Sequence, residues 1–483
     1  MISAPLLEIA VVVLGFVILM VEAFASRLNR RSLAITAIIG LGAVFVASFF
    51  LSPPPQMATS GFWSFYSADG LAIFFKRFAL VTTVLVLIMM IDYAPVVTRS
   101  IHGATAQAGL GEFFTLPLFT CAGLMWMASA VDFVMIFVSL ETVTMSFYVL
   151  VAFTRRNPAA LEAGVKYLIL SALSTGFLVY GITWIFGVTG ETNLALIGDA
   201  LRSGNTEQAP LLFGIALVLV ALGFKIAAVP LQIWVPDVYQ GAPTPVTAYL
   251  SVGSKAAGFV VLLRVLEPFF MLPQTQRLLV GMAVLTLIYG NLAALPQTNL
   301  KRLLAYSSIA HAGYLLVGVV CLSGAAVGFY LVSYLLMTLL SFAVLVVVAN
   351  QTGDRIEDFN GLASRATFLS LAMLIAMASL AGIPFTAGFL GKFFIFDAAI
   401  RQQQTLLVIV GVITVACGFY YYLKVVRAMY WEEAESTGPV PLTNLSRVTM
   451  VALIAAIIAL GVYPQPILNA LRPATGNSAA ASR

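Results

Sequence analysis

The sequence predicts an all-α integral membrane protein, and its composition and hydropathy support this fold class. Of the 483 residues, 61% are hydrophobic and 9% are charged, whereas an average soluble domain carries about 25% charged residues. The mean hydropathy is +1.01. Long apolar runs follow one another along the chain, each near the roughly 20 residues that a helix needs to cross a bilayer. The mild net charge of +5 gives no sign of nucleic-acid binding.

These runs form about fourteen predicted transmembrane helices. The first run ends near Ala23-Phe24-Ala25, which resembles a signal-peptidase site. No Lys or Arg precedes it, and it is longer than the apolar part of a signal peptide, so we predict that it is retained. The predicted spans are 4–24, 32–51, 71–91, 113–130, 132–153, 165–187, 211–235, 245–266, 278–296, 301–322, 327–350, 367–398 with a break, 404–430 and 447–466.

Basic residues between the spans and near their ends predict the orientation, because Lys and Arg favour the cytoplasmic side. One side carries the larger set, which is Arg27, Arg30, Arg31, Arg99, Arg155, Arg156, Lys301, Arg302, Arg355, Arg365, Arg427 and Arg447. The other side carries Arg202, Arg264, Arg277, Arg401, the C-terminal arginines and the acidic loop 191–207. Both chain termini are therefore predicted to face outward.

Two predicted spans are interrupted by proline and glycine. One contains Lys225 and runs through Pro230 and Pro236 into Gly241-Ala242-Pro243-Thr244-Pro245, and the other has its break within 380–392, next to Lys392. Proline removes a backbone donor, and irregular backbone at membrane depth must be lined by protein or water. Paired broken spans indicate inverted repeats with an ion site between them. The alternative is two ordinary proline kinks.

Charged side chains inside the spans are the candidate functional residues. Glu141, Lys225, Lys255 and Lys392 all stand in apolar surroundings, where charges are costly and commonly functional. Burial disfavours the charged form of a lysine, so such amines can bind and release protons. The sequence therefore predicts a protein that moves protons across a membrane.

Glu141 and Lys225 are both central in their spans and are predicted to pair. A closed pair would hold the lysine proton, and an opened pair would let it move on. The alternative is a static buried ion pair that fixes helix register.

Four further positions are candidates for the predicted path. Lys255 has small neighbours and is the predicted middle station, that is, the intermediate proton-binding residue of the path. Lys392, beyond the second break, is the predicted exit station, the last proton-binding residue before the far side. Lys166 stands nearer a span end, where it could function or only reach to the interface. His311 could bridge two lysines or simply bond to a neighbour.

Other chemistry finds little support in the sequence. Cys121, Cys321 and Cys417 lie far apart in apolar runs, without metal-ligand spacing. His102 and His311 are the only histidines and cannot form a helical bis-histidine haem site. We find no phosphate-binding loop or dinucleotide fingerprint, so we expect no metal, cofactor or redox centre in this chain.

Several segments together resemble the antiporter-like membrane subunits of the proton-pumping NADH:quinone oxidoreductase, respiratory complex I. They include Phe224-Lys225 with Pro230, and Trp234-Val235-Pro236-Asp237-Val238-Tyr239. The other segments are 140–141, 148–153, 162–167, 241–246, 299–308 and 382–392. The similarity covers most of the chain, most clearly 110–430. Lys392 and the short C-terminal region argue against two of the family's branches, subunits M and L.

The resemblance implies an antiporter-like fold of fourteen spans with two inverted five-helix repeats, each holding a broken helix. The predicted parts are an N-terminal three-helix segment over 1–110, repeats over 111–267 and 278–430, and a last span with the C-terminal tail over 440–483. Lysines on the broken helices correspond to Lys225 and Lys392, the next lysine to Lys255, and the paired glutamate to Glu141.

The resemblance also implies the surroundings of the chain. NADH, flavin, iron–sulfur clusters and quinone would be bound by other subunits, and quinone reduction there would drive the transport. The partners would be other membrane subunits, including a neighbouring antiporter-like subunit, in a bacterial inner membrane. Two alternatives remain: a subunit of a multi-subunit cation/proton antiporter, and a membrane scaffold that moves no ions.

Cysteine labelling tests the predicted orientation. Position 156 lies in a loop of the arginine-rich side, so an Arg156→Cys variant should resist a membrane-impermeant thiol reagent in intact cells. The same reagent should label it in inverted vesicles. Labelling from the periplasm in intact cells would contradict the orientation.

Overall fold

The structure is a computed structural model that describes residues 3–24, 30–51, 63–100, 110–204, 206–434, 438 and 440–475. Arg27 and His102 lie outside these ranges. The first α-helices are α1 (Pro5–Phe24), α2 (Arg30–Ala47), α3 (Gly70–Ser100), α4 (Leu110–Ser129), α5 (Phe133–Val151), α6 (Pro158–Thr189), α7 (Leu194–Arg202), α8 (Gln208–Ile226), α9 (Val235–Gly241), α10 (Thr244–Tyr249) and α11 (Lys255–Leu266).

A π-helical turn over Leu250–Ser254 joins α10 to α11, so the two form one continuous span. The remaining α-helices are α12 (Pro273–Ala294), α13 (Leu300–Val320), α14 (Gly324–Ala349), α15 (Leu362–Arg365), α16 (Thr367–Ala381), α17 (Ala387–Arg401), α18 (Thr405–Trp431), α19 (Asn444–Val462) and α20 (Gln465–Thr475).

The predicted fold class is confirmed. Within the described residues, 13 helices are long and apolar enough to cross a membrane. The short helices α16 and α17 share the predicted span 367–398 and its break. The limits predicted for the repeats remain a prediction.

The centre of the bundle is α13. In the most apolar 18-residue stretch of α13, every residue is buried. In the corresponding stretches of α14 and of the α10–α11 span, 94% of the residues are buried. A helix that is apolar on all sides needs neighbours on all sides. By contrast, only 22% of the residues in the corresponding stretch of α6 are buried. The polar side chains of α13 are therefore enclosed by the rest of the protein.

The first predicted break is confirmed between α8 and α9. Ala227 ends α8 in a left-handed conformation (φ 66°), and its N–H bonds to carbonyls of the last turn. The Trp234 indole donates to the Phe224 carbonyl at 2.9 Å, which satisfies another group at the helix end. The break leaves Lys225 in the last turn of α8.

The second predicted break lies between α16 and α17. Gly382 ends α16 with φ 89°, a conformation that glycine adopts without steric cost. A side chain at Gly388 would collide with the Ser379 carbonyl oxygen, at 1.9 Å, so glycine lets α17 begin directly against α16. This close approach places Lys392 beside the open end of α16.

Candidate functional site

Two threonine hydroxyls hold Lys225 and Glu141 in this conformation. Buried Lys225 donates to Thr144 Oγ1 at 2.6 Å. Thr175 donates to Glu141 Oε1 at 2.6 Å. Glu141 and Thr144 lie one turn apart on α5, so the structure brings both charges to one place. They nevertheless contact hydroxyls and not each other, and their predicted action as one unit remains a prediction.

Lys255 ends in a cluster of hydroxyl groups. Its amine donates to the Ser308 carbonyl oxygen at 2.5 Å and also bonds to the Ser308 hydroxyl. Tyr334 donates to the same hydroxyl at 2.9 Å and bonds to the Ser251 hydroxyl at 2.7 Å. Ser251 belongs to the π-helical turn, a feature frequent at functional sites.

His311 continues the polar line on α13, one turn beyond Ser308. Its Nδ1 and the Tyr330 hydroxyl are hydrogen-bonded at 2.7 Å, and its Nε2 and the Tyr422 hydroxyl at 3.1 Å. Tyr422 bonds in turn to the Ser307 hydroxyl at 2.5 Å. The histidine therefore joins α13 to α14 and α18 through groups that both donate and accept protons.

Lys392 is held by backbone. Its amine donates to the carbonyl oxygens of Leu380 and Ala381 at 2.9 and 2.8 Å. These carbonyls belong to the last turn of α16 and have no partner within that helix. The helix dipole adds attraction for a cation at this end. The buried Lys392 amine is therefore hydrogen-bonded by backbone carbonyls, without an acidic side chain.

Lys166 lies apart from this line. It forms ion pairs of 2.7 Å with Glu162 and Asp237, and its side chain is 40% exposed. Asp237 also pairs with Arg302 at 2.9 Å. This charge cluster lies where α6, α9 and α13 begin or end, on the side predicted to be cytoplasmic.

The predicted span 301–322 corresponds to α13 (Leu300–Val320), and Lys301 lies at its start. Lys301 is the second residue of α13, is buried, and donates to the Ala242 carbonyl oxygen at 2.6 Å. It is buried because that carbonyl, at the C-terminal end of α9, is an acceptor that attracts a cation.

Sequence reasoning overlooked the hydroxyl groups. Thr144 and Thr175 hold the first two charges, and Ser308, Tyr330, Tyr334 and Tyr422 surround Lys255 and His311. A signal was present on α14, where Tyr330 and Tyr334 are spaced to face one side of a helix.

The arrangement suits proton transfer because amines, hydroxyls and an imidazole alternate through the protein interior. Within the described ranges, no group of three or more His, Cys, Asp or Glu side chains could hold a metal ion.

Comparisons with known proteins identify the family of the chain. Residues 130–418 match the family described as NADH:quinone oxidoreductase/Mrp antiporter, TM. The NADH-quinone oxidoreductase subunit N of Desulforamulus reducens is 38% identical over 468 residues, which is 95% of each chain.

Solved structures show the same fold. A chain of respiratory complex I from Thermus thermophilus with bound aureothin has a TM-score of 0.81 and 31% identity, over 96% of this chain and 98% of that one. A chain of the Mrp complex from Dietzia sp. DQ12-45-1b has a TM-score of 0.82 and 22% identity, over 98% and 97%.

The Lys225–Thr144 hydrogen bond gives a direct test of the site. Thr144→Val keeps the side-chain shape and removes the acceptor, which should destabilise this arrangement by about 1.5–3 kcal/mol. If the site moves protons, transport by the assembled membrane complex should slow several-fold. Thr142→Val is the matched control, because Thr142 bonds only within α5. Equal transport rates in both variants would contradict a role for Thr144.

Proposed function

The chain belongs to the NADH:quinone oxidoreductase and Mrp antiporter transmembrane family, and we propose that it is a proton-translocating membrane-arm subunit of NADH:quinone oxidoreductase, corresponding to subunit N. The observation that carries the proposal is the line of buried amines and hydroxyls around α13, with a lysine at each of two broken helices. Relatives of nearly equal length carry the name of this subunit.

The energy would come from partner subunits. NADH, flavin, iron–sulfur clusters and quinone would be bound there, and quinone reduction would alter the electrostatic state of the membrane arm. The partners would include a neighbouring antiporter-like subunit in a bacterial inner membrane, with both termini of this chain in the periplasm. This chain would then supply a conduit and no redox chemistry.

The first transfer would be controlled by Glu141. When its carboxylate moves from the Thr175 hydroxyl to Lys225, the positive charge on the amine is stabilised and the proton stays. When the carboxylate returns to Thr175, the lysine faces only the Thr144 hydroxyl, and the proton is released more readily. The Thr175–Glu141 and Lys225–Thr144 hydrogen bonds in the structure support the second of these arrangements.

The proton would next reach Lys255 and His311. The stem of Lys225 packs beside Gly258 on α11, one turn beyond Lys255, so Lys225 lies against the helix that carries Lys255. Ser308 and Tyr334 link Lys255 to the surroundings of His311. The His311 ring lies 5.2 Å from the Tyr334 ring, and the Lys255 amine lies 5.7 Å from the centre of that ring. The His311 ring also lies 6.1 Å from the Tyr314 ring, whose centre is 5.2 Å from the Lys392 amine. This position between the two lysines supports His311 as the bridge to the exit station.

A cation/proton antiporter is the alternative function. The Mrp likeness supports it at the level of fold, whereas the relatives that match nearly the whole chain bear the oxidoreductase name. Lys392 on the second broken helix serves either function, so the assembly around the chain decides between them.

A double-mutant cycle tests the proposed switch. Glu141→Ala and Lys225→Ala should each reduce NADH-driven proton pumping in vesicles that hold the assembled complex. The double variant should lose little more than either single one, with a coupling free energy of about 0.5–3 kcal/mol. The control pair is Asp199 and Arg202, an exposed ion pair on α7, whose removal should leave pumping unchanged.

Strictly additive effects of the two alanine substitutions would show that Glu141 and Lys225 act separately. Normal pumping after Lys225→Ala would favour a scaffold that moves no ions. Assembly is checked in each case by the amount of intact complex recovered from the membrane.

A further inference from the structure

Two tyrosine hydroxyls contact the imidazole of His311, one at each ring nitrogen. The Tyr330 hydroxyl lies 2.7 Å from Nδ1, and the Tyr422 hydroxyl lies 3.1 Å from Nε2. All three side chains are buried, and they belong to α13, α14 and α18. The ring cannot turn over without breaking both hydrogen bonds, so each nitrogen keeps its own partner.

The Tyr422 hydroxyl has a second partner. It is hydrogen-bonded to the Ser307 hydroxyl, and Ser307 lies one turn before His311 on α13. A phenol carries a single proton, and a neutral imidazole carries a single N–H. If Tyr422 donates to Ser307, its oxygen accepts from the Nε2–H of His311. If Tyr422 instead donates to Nε2, the histidine proton must be on Nδ1.

The two arrangements differ in how many donors find an acceptor. With the proton on Nε2, Tyr330 donates to Nδ1, Nε2–H donates to Tyr422, and Tyr422 donates to Ser307. The Ser307 hydroxyl can then donate to a carbonyl of the preceding turn, as helical serines commonly do. With the proton on Nδ1, Tyr330 accepts from the ring and needs another acceptor for its own proton. Among the described residues its hydroxyl is hydrogen-bonded only to His311, and buried donors are rarely left without acceptors, so Nε2 is the favoured site.

The unprotonated nitrogen is then the one that contacts α14. Nδ1 is hydrogen-bonded to Tyr330, and Tyr334 follows one turn later on the same helix. Tyr334 donates to the Ser308 hydroxyl, which also contacts the Lys255 amine. The nitrogen that can bind a further proton is therefore held by the helix that also contacts the middle station, whereas Nε2 is held by α18.

We propose that Tyr422 is a positioning residue, which holds neutral His311 with its proton on Nε2 and leaves Nδ1 to bind a transferred proton; the inference rests on the proposed function. Binding at Nδ1 converts the neutral ring into an imidazolium. Release of one proton from either nitrogen restores a neutral ring. The Tyr422 hydroxyl thus decides which ring atom receives the proton.

The neighbouring residue Tyr421 provides a matched control. It is 1% exposed, as is Tyr422. Its hydroxyl donates to Asn291 Oδ1 at 3.1 Å, and the centres of the two tyrosine rings are 4.4 Å apart. Phenylalanine at either position keeps the aromatic packing and removes one buried hydroxyl. Only Tyr422→Phe removes a hydrogen bond to His311.

Nitrogen NMR tests the assignment directly. His102 and His311 are the only histidines, so a full-length His102→Gln chain with isotope-labelled histidine reports on His311 alone. In lipid bilayers at alkaline pH, its ring should give a protonated signal assigned to Nε2 and an unprotonated signal assigned to Nδ1. Adding Tyr421→Phe should keep this pattern. Adding Tyr422→Phe should give a mixture of the two tautomers, because neither tautomer then has an acceptor for every donor.

Proton pumping tests the consequence for transport. In vesicles that hold the assembled complex, NADH-driven pumping should slow several-fold in Tyr422→Phe and stay at the wild-type rate in Tyr421→Phe. Equal pumping in the two variants, a His311 proton on Nδ1, or an unchanged tautomer in Tyr422→Phe would each overturn the proposal. Failure of the proposed function is recognised separately, by normal pumping in Lys225→Ala. Should Tyr422→Phe not assemble, the spectrum of the His102→Gln chain decides alone.

Discussion

The cost of a buried ammonium group is the constraint on which this structure depends. Each lysine at the centre of a span costs about 3 kcal/mol to insert, and it needs oxygen acceptors that an intact α-helix does not offer. Lys225 finds the Thr144 hydroxyl, Lys255 finds Ser308, and Lys392 finds carbonyls at the end of α16. These acceptors are neutral, so none of them stabilises the charged amine as strongly as a carboxylate would.

The requirement for oxygen acceptors next to the buried lysines also explains the irregular backbone. Gly382 opens α16 and frees the carbonyls that Lys392 binds, while the break after Ile226 leaves Lys225 at a helix end. The π-helical turn brings Ser251 into the hydroxyl cluster beside Lys255. The enclosed helix α13 then supplies Ser308 and His311 between the lysines. Irregular backbone and buried lysines therefore occur at the same places.

The sequence predicts the fold class and the broken helices well, because proline and glycine have few ways to continue a helix. It predicts burial of Lys225, Lys255 and Lys392 from their apolar neighbours. It does not predict the partners, since a threonine inside a helix commonly bonds to its own backbone, as Thr144 also does. The sequence does not predict the buried ion pair of Glu8 and Lys76, because charged side chains near span ends usually extend to the membrane interface. Their contact depends on how α1 packs against α3.

The central claim is that these amines give up protons, and Lys392 tests it most directly. A guanidinium stays charged at any accessible pH, so Lys392→Arg preserves a cation beside the α16 carbonyls and abolishes release. The matched control is Lys424→Arg, because Lys424 also donates to a backbone carbonyl, that of Gln297. In vesicles with the fully assembled complex, Lys392→Arg should lose proton pumping while Lys424→Arg keeps it. A wild-type proton-to-electron ratio in Lys392→Arg would show that the residue is a structural cation and contradict the account.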